Sequence, residues 1–295
     1  MKTTAQFLSE IKRGDYLSLA RGLTLVENEL PGSIDLLKEL KINQHVPLIG
    51  ITGPPGAGKS TLVNSLIGKL SGQHKKIAVI AVDPTSPFNL GSLLGDRVRM
   101  SSHFNNPAVF IRSLATRGSV GGLSAKIIEM TDLLKAADFD CIIVETVGVG
   151  QSEIEIAGLA DLTLVVLVPE AGDEIQHIKS GLMEIGDAFI VNKADREGAD
   201  RFAGQLQKML YQRAERIPVF KTVADQHKGV DELMDWLISA DHQKNEKKLF
   251  LYTEKAFKLI QNNRMRDISK TELQQNIAAK YTDSNFNIYR FIADY

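Results

Sequence analysis

Two hydrophobic rhythms divide this chain. Over residues 3–40, apolar side chains return every three or four positions, as in Tyr16, Leu17, Leu19, Ala20, Leu23 and Leu25, with charges between them. That spacing lays one apolar stripe along a helix, and Pro31-Gly32 breaks the run. From residue 46 the rhythm changes to short runs: VPLIGIT (46–52), KIAVIAVD (76–83), AVFIRS (108–113), FDCIIVET (139–146), LTLVVLV (162–168), DAFIVN (187–192) and IPVFKT (217–222). Several are apolar almost throughout, as parallel strands covered on both faces must be. Helical stretches separate them, so the pattern predicts an α/β fold with a doubly wound, mostly parallel sheet. Beyond residue 241 no further β-rich run occurs, and QKNEKKLFLYTEKAFKLIQNNRMRD reads as helix. The expected organisation is an N-terminal helical extension (1–42), a central domain (43–241) and a C-terminal helical extension (242–295) suited to dimerisation.

Composition narrows the function classes. Thirty-five basic against thirty-six acidic residues give a formal net charge of −1, which offers no electrostatic case for nucleic-acid binding. The single cysteine, Cys141, excludes an internal disulfide framework, and its place inside an apolar strand reads as core packing. His45, His74, His103, His177, His227 and His242 are scattered without metal-ligand spacing. No apolar run is long enough to span a bilayer and the start lacks a secretory-leader pattern. The expectation is a cytoplasmic protein without membrane contact.

Chemistry enters at residues 51–60, ITGPPGAGKS, directly after the first strand. Gly53, Gly58, Lys59 and Ser60 match G-x-x-x-x-G-K-[ST], with Pro54, Pro55, Gly56 and Ala57 between. A loop wrapped around phosphates must turn successive N–H groups inward, and a Cβ obstructs that curvature. The following helix, STLVNSLIGKL, presents its positive end to the same anion. Lys59 is placed to reach the β- and γ-phosphates, Ser60 to ligate Mg²⁺, and Thr61 to bond the α-phosphate.

The late strand DAFIVN runs into Asn192-Lys193-Ala194-Asp195. A carboxylate at Asp195 can accept from both the ring N–H and the exocyclic amine of guanine, whereas adenine offers no donors there. Lys193 can lie along the base, and Asn192 can tie the loop to its neighbours. Thr222-Val223-Ala224, after IPVFK, falls where a second base-contacting loop is expected. Acidic residues at strand ends complete the set. Asp83 ends KIAVIAVD, Glu145 ends FDCIIVE, and Asp96 lies in PTSPFNLGSLLGDRVRM. Since Mg²⁺ keeps several waters, some of Ser60, Asp83, Asp96 and Glu145 would act through water. Gly148, three residues after Glu145, can bring its N–H to the γ-phosphate. Where many GTPases carry a water-orienting glutamine, this chain has Val149, with Gln151 two residues on. Slow intrinsic hydrolysis of GTP to GDP and phosphate follows as the expectation.

PPGAGKST, DPTSP, LGDRVRM, ETVGVGQSE and NKAD, in this order, resemble the MeaB/ArgK family of P-loop GTPases. These are chaperones of adenosylcobalamin-dependent acyl-CoA mutases such as methylmalonyl-CoA mutase, and their human member is the methylmalonic aciduria type A protein. The resemblance covers residues 14–240 and, more loosely, RMRDISKTELQQNIAAKY. It implies a phosphate loop at Lys59, Ser60 and Thr61, a Mg²⁺ and water shell at Asp83, Asp96 and Glu145, and guanine reading by Asn192, Lys193 and Asp195. It also implies mobile regions at 84–100, 146–156 and 169–180, the last carrying Glu170, Asp173, Glu174 and Lys179 as reporters of nucleotide state. A homodimer built with the C-terminal helices is expected. Two alternatives stay open: a metal-insertion GTPase, or an ATP-dependent kinase of a transport-associated protein. A non-hydrolysing nucleotide scaffold is a third class. Arg112 and Arg117 flank a Gly-rich segment and invite an arginine-finger role, against the plainer expectation of local salt bridges.

Overall fold

The computed structural model describes residues 4–83, 100–115, 126–148, 152–172, 182–211, 216–240, 247–265, 267–281 and 286–292. All seven expected strands are present: β1 (Leu48–Thr52), β2 (Ile77–Asp83), β3 (Val109–Ala115), β4 (Cys141–Glu145), β5 (Leu162–Leu167), β6 (Ala188–Val191) and β7 (Val219–Lys221). They form one sheet in the order β3-β2-β4-β1-β5-β6-β7, and every pairing is parallel. The helices are α1 (Thr4–Lys12), α2 (Tyr16–Glu27), α3 (Ser33–Lys38), α4 (Lys59–Gly72), α5 (Ile127–Lys135), α6 (Ser152–Leu159), α7 (Leu182–Ile185), α8 (Ala199–Leu210), α9 (Val230–Ser239), α10 (Lys247–Arg264), α11 (Lys270–Tyr281) and α12 (Ile288–Phe291).

Burial on both faces explains the unbroken apolar runs. On one face Ile49, Ile51, Val79, Ile143 and Ile190 share a core with Leu62, Val63, Leu66 and Ile67 of α4 and with Leu233 and Met234 of α9. On the other, Val165, Leu167, Phe189 and Val191 meet Phe202, Leu206 and Leu210 of α8. Truncating a wholly buried ring such as Phe189 would cost about 3–5 kcal/mol. Gly50 lets α6 approach the sheet, since a Cβ there would lie 2.5 Å from Ile156 Cγ1. Cys141 sits in the first of these cores, where burial pushes its thiol up to about 12, so it behaves as a packed, unreactive side chain.

The N-terminal helices join this body. Tyr16 of α2 packs edge-on to Phe110 and stacks on Phe139, with ring centroids 5.4 and 6.0 Å apart. A second break, at Gly14, was not marked by the apolar spacing. Gly14 takes φ +81°, and the Asp15 carboxylate caps α2 by accepting from the Ser18 N–H at 2.6 Å. Arg112 pairs with Glu27 at 2.6 Å and donates to Thr24 Oγ1 at 3.2 Å. It therefore ties the edge strand to α2, the local role rather than the finger.

By contacts the chain divides into two compact units, Met1–Leu249 and Phe250–Tyr295. The second is helical: Asn287 caps α12 through the Tyr289 and Arg290 N–H groups. Phe286 lies 5.8 Å from the Tyr281 ring and 6.1 Å from that of Phe291. No helix among the described residues is long and apolar enough to cross a membrane.

Candidate functional site

In an open parallel sheet, ligands settle beyond the carboxyl ends of the strands where the winding reverses. Here β1 lies between β4 and β5, and its carboxyl end leads into the glycine loop. Gly53, Gly56 and Gly58 have φ of +135°, +78° and +87°, a region that costs other residues strain. Close approach enforces two of them. A Cβ on Gly53 would lie 2.0 Å from the Val166 carbonyl oxygen, and one on Gly58 would lie 2.3 Å from Asn192 Nδ2. Pro55 and Gly56 are exposed at the rim, Pro54 is half-buried and Ala57 is buried beneath.

Lys59 opens α4 with its side chain buried. Its ammonium donates to the carbonyls of Gly53 at 2.8 Å, Pro54 at 3.1 Å and Val147 at 3.4 Å. Gly148, at φ +84°, is pressed against the same loop: a Cβ there would meet Gly53 O at 2.0 Å and Lys59 Nζ at 2.6 Å. The Ser60 hydroxyl donates to Glu145 Oε1 at 2.7 Å, and both residues are buried. A hydroxyl and a carboxylate meeting at the start of a helix are the hard oxygen donors Mg²⁺ takes, so these two residues fit that ion. Behind them Thr146 Oγ1 donates to Thr52 Oγ1 at 2.9 Å, joining the ends of β4 and β1. Thr61 lies half-buried in the first turn of α4.

The expected base loops converge on the same end. Asn192 is buried; its Nδ2 donates to the Ala57 carbonyl at 2.9 Å, while its Oδ1 accepts from Thr222 Oγ1 at 3.0 Å and the Ala224 N–H at 3.2 Å. One amide thus ties together the phosphate loop, the loop after β6 and the loop after β7. Lys193 adopts φ +54° and sends its ammonium to the Gly56 carbonyl at 2.8 Å. The Ala194 N–H reaches the Thr222 carbonyl at 3.0 Å, Val223 is buried, and Asp195 stands exposed at the rim. Thr222 is the acceptor of this pairing and a donor to Asn192, which gives the TVA segment a definite place in the cluster.

Asp83 closes β2, in register with Ala115 of β3. Asp96, Arg117, Val149, Gln151, Asp173, Glu174 and Lys179 lie outside the described residues, as do most of 84–100 and the matching parts of 146–156 and 169–180. Glu170 is described: its carboxylate pairs with Arg196, the residue after Asp195. The hydrogen bond from Arg196 holds the Glu170 carboxyl below its ordinary range. Ser65 and His227 were missed by motif reading. The Ser65 hydroxyl donates to the Ala224 carbonyl at 2.5 Å and lies 2.9 Å from His227 Nδ1. A hydroxyl among the apolar residues of STLVNSLIGKL was the available signal.

Comparison with known proteins places the chain in a family. A sequence model of the family described as methylmalonyl Co-A mutase-associated GTPase MeaB matches residues 19–282. A protein of Pyrococcus horikoshii provisionally named a GTPase is 43% identical over 274 residues, covering 90% of this chain and 84% of the relative. The fused isobutyryl-CoA mutase of Geobacillus kaustophilus is 34% identical over 296 residues, covering 90% of this chain and 27% of that longer protein. A crystal structure of LAO/AO transport system kinase superposes with a TM-score of 0.71 over 99% of this chain and 96% of its own, and its 24% identity speaks to the fold alone. Because the family match spans residues 19–282, a range that takes in the glycine loop, the Glu145 segment and the loops after β6 and β7, the chain belongs to the MeaB family of GTPases.

Proposed function

We propose that this chain is a GTP-hydrolysing chaperone that assists cofactor loading or protection of an adenosylcobalamin-dependent acyl-CoA mutase. The observation that carries the mutase assignment is the fused relative: a segment 34% identical to nine-tenths of this chain is built into a protein named as an isobutyryl-CoA mutase. Fusion holds two modules at high effective concentration, and a separately made module that serves the same task must bind its partner instead.

The site supports the chemistry as follows. Lys59 turns its ammonium from the Gly53, Pro54 and Val147 carbonyls to the β- and γ-phosphates, exchanging neutral dipoles for charge. The loop N–H groups and the start of α4 hold the remaining oxygens. Ser60 and Glu145 would hold Mg²⁺, with Asp83 and Asp96 acting directly or through water. The ion, when bound, neutralises charge that builds on the β- and γ-oxygens. Gly148 offers its N–H to the γ-phosphate, and Asn192, Lys193 and Asp195 read guanine with the 222–224 loop. Val149 cannot orient the attacking water as glutamine does, so the isolated chain hydrolyses slowly.

After hydrolysis Lys59 can return to the Val147 carbonyl. The segment that follows β4 thereby senses whether a γ-phosphate is present. The chain acts in the cytoplasm as a homodimer. Support for the dimer comes from Phe250, Phe257 and Ile260, large apolar side chains left exposed along α10.

The test is titration of the protein with an adenosylcobalamin-dependent acyl-CoA mutase in the presence of GTP, of GDP and of neither. The expected result is an affinity that differs by about tenfold between nucleotide states, a usual size for such coupling. An affinity blind to nucleotide, or no association with any such mutase, removes the chaperone assignment and leaves the GTPase standing.

A further inference from the structure

The loop after β7 is fixed from two sides. Its 3₁₀ turn, Ala224–Gln226, is closed by paired hydrogen bonds between Val223 and Lys228 at 3.0 and 3.3 Å. From one side Asn192 Oδ1 accepts the Ala224 N–H. From the other, Ser65 reaches across from α4 and donates its hydroxyl to the Ala224 carbonyl at 2.5 Å. A carbonyl has no proton to give, so the single Ser65 proton is committed to that bond. The 2.9 Å contact between Ser65 Oγ and His227 Nδ1 must then run the other way, with the imidazole Nδ1–H donating. His227 holds φ +58°, the turn that points its ring back at α4. Ser65 and Ala224 are both buried, at 1% and 2% exposure, so water does not compete for these groups.

These bonds close a circuit. Ala57 of the phosphate loop bonds Asn192, Asn192 bonds Ala224, and Ala224 bonds Ser65. Ser65 lies on α4, the helix that begins at Lys59 of that same loop. Guanine-side and phosphate-side segments are thus braced against each other through the N–H and the carbonyl of one residue, Ala224.

We propose that Ser65, oriented by the Nδ1–H of His227, is a positioning residue for guanine: it fixes the 222–224 loop against the phosphate helix and so tightens binding of the base without touching the phosphates. The inference rests on the guanine-reading assignment above. Without the hydroxyl, the Ala224 carbonyl loses a buried donor, His227 loses its acceptor, and the base loop is held from the Asn192 side alone.

The experiment measures dissociation constants for GDP, ADP and inorganic tripolyphosphate by calorimetry, using the full chain and its Ser65→Ala and His227→Ala variants. Losing one buried hydrogen bond is expected to weaken GDP about tenfold in Ser65→Ala, while tripolyphosphate binding changes less than about twofold. His227→Ala, whose ring lies at the surface, keeps the Ser65 donor and should show the same split at about threefold. It serves as the reading should Ser65→Ala not fold. Equal weakening of GDP and tripolyphosphate would mean that Ser65 merely holds the helix, and unchanged GDP affinity in a folded variant would mean that the contact is idle. Either result overturns the proposal while wild-type preference for GDP over ADP stands. If the wild type itself shows no such preference, the guanine assignment falls and takes the proposal with it.

Discussion

Two lysines are buried at opposite rims of one sheet, and their surroundings assign them different work. At the carboxyl rim, Lys59 directs its ammonium at the backbone carbonyls of Gly53, Pro54 and Val147. At the amino rim, Lys135 directs its ammonium at the Asp161 carboxylate, 3.4 Å away, and Lys248 meets the other oxygen of that carboxylate at 2.9 Å. Asp161 also accepts the Leu48 N–H at 2.8 Å, pinning the start of β1. Burial pushes the Lys135 amine below its ordinary range, and Asp161 opposes the shift. A fixed carboxylate makes the lower cluster permanent architecture. The carbonyl dipoles around Lys59 attract its charge but can be exchanged for a stronger acceptor, which a polyphosphate is.

The comparison breaks most visibly at the lower rim. Asp161→Ala strips the counter-charge from Lys135 and Lys248 and orphans the Leu48 N–H, so urea unfolding should show a loss of about 3–5 kcal/mol. Nucleotide affinity of the folded fraction should not move. A loss below about 1 kcal/mol would mean that the cluster is solvated and that the contrast between the rims is false. Lys59→Ala should invert the pattern. Tight GTP binding should drop on the order of a hundredfold, about 2.7 kcal/mol, while the unfolding free energy stays within about 1 kcal/mol of wild type. Retained GTP affinity would show that the buried ammonium is structural after all.

Asp195→Asn sharpens the upper rim further, because it tests base reading apart from phosphate gripping. The expected outcome is about a tenfold fall in preference for GTP over ATP, with little change for tripolyphosphate; undiminished preference would remove Asp195 from the site. How far each rim could be read from the chain differs for a physical reason. The upper rim is written in residue types with few other uses: glycines forced by the Val166 carbonyl and by Asn192, a lysine before Ser60, and an Asn-Lys-Ala-Asp run after an apolar strand. The inner strands were legible because burial on both faces demands apolar residues at nearly every position. The edge strands β3 and β7 are only partly buried and carry Arg112 and Lys221. The lower rim was not legible. Lys135 and Asp161 sit at element ends, where polar residues ordinarily meet water, and only the fold brings Leu48, Lys135 and Lys248 to one carboxylate. Gly14 escaped for a related reason, since apolar spacing continues across it while the Asp15 cap starts a new helix. Ser65 and His227 meet across 162 residues of sequence, a distance over which no local pattern reaches.

The smallest effect separates burial from charge pairing as the source of the contrast. Glu170 and Arg196 form a carboxylate–cation pair like that of Asp161, but at the upper rim and with side chains about half exposed, at 52% and 48%, against 7% for Asp161. The Glu170 carboxyl is held below its ordinary range chiefly by the hydrogen bond from Arg196. A carboxyl with a lowered folded-state pKa contributes its stabilisation above the unfolded pKa, ordinarily about 4.3, and loses it as pH falls through the lowered value. Water and salt screen an exposed pair, so Glu170→Gln should cost no more than about 0.5 kcal/mol at pH 7. The difference from wild type should shrink as the medium is taken to pH 3 and below. If burial is what separates the two rims, Asp161→Ala must exceed Glu170→Gln several-fold in the same urea series. Comparable losses would mean that pairing alone, wherever it sits, sets the stability of this sheet's ends.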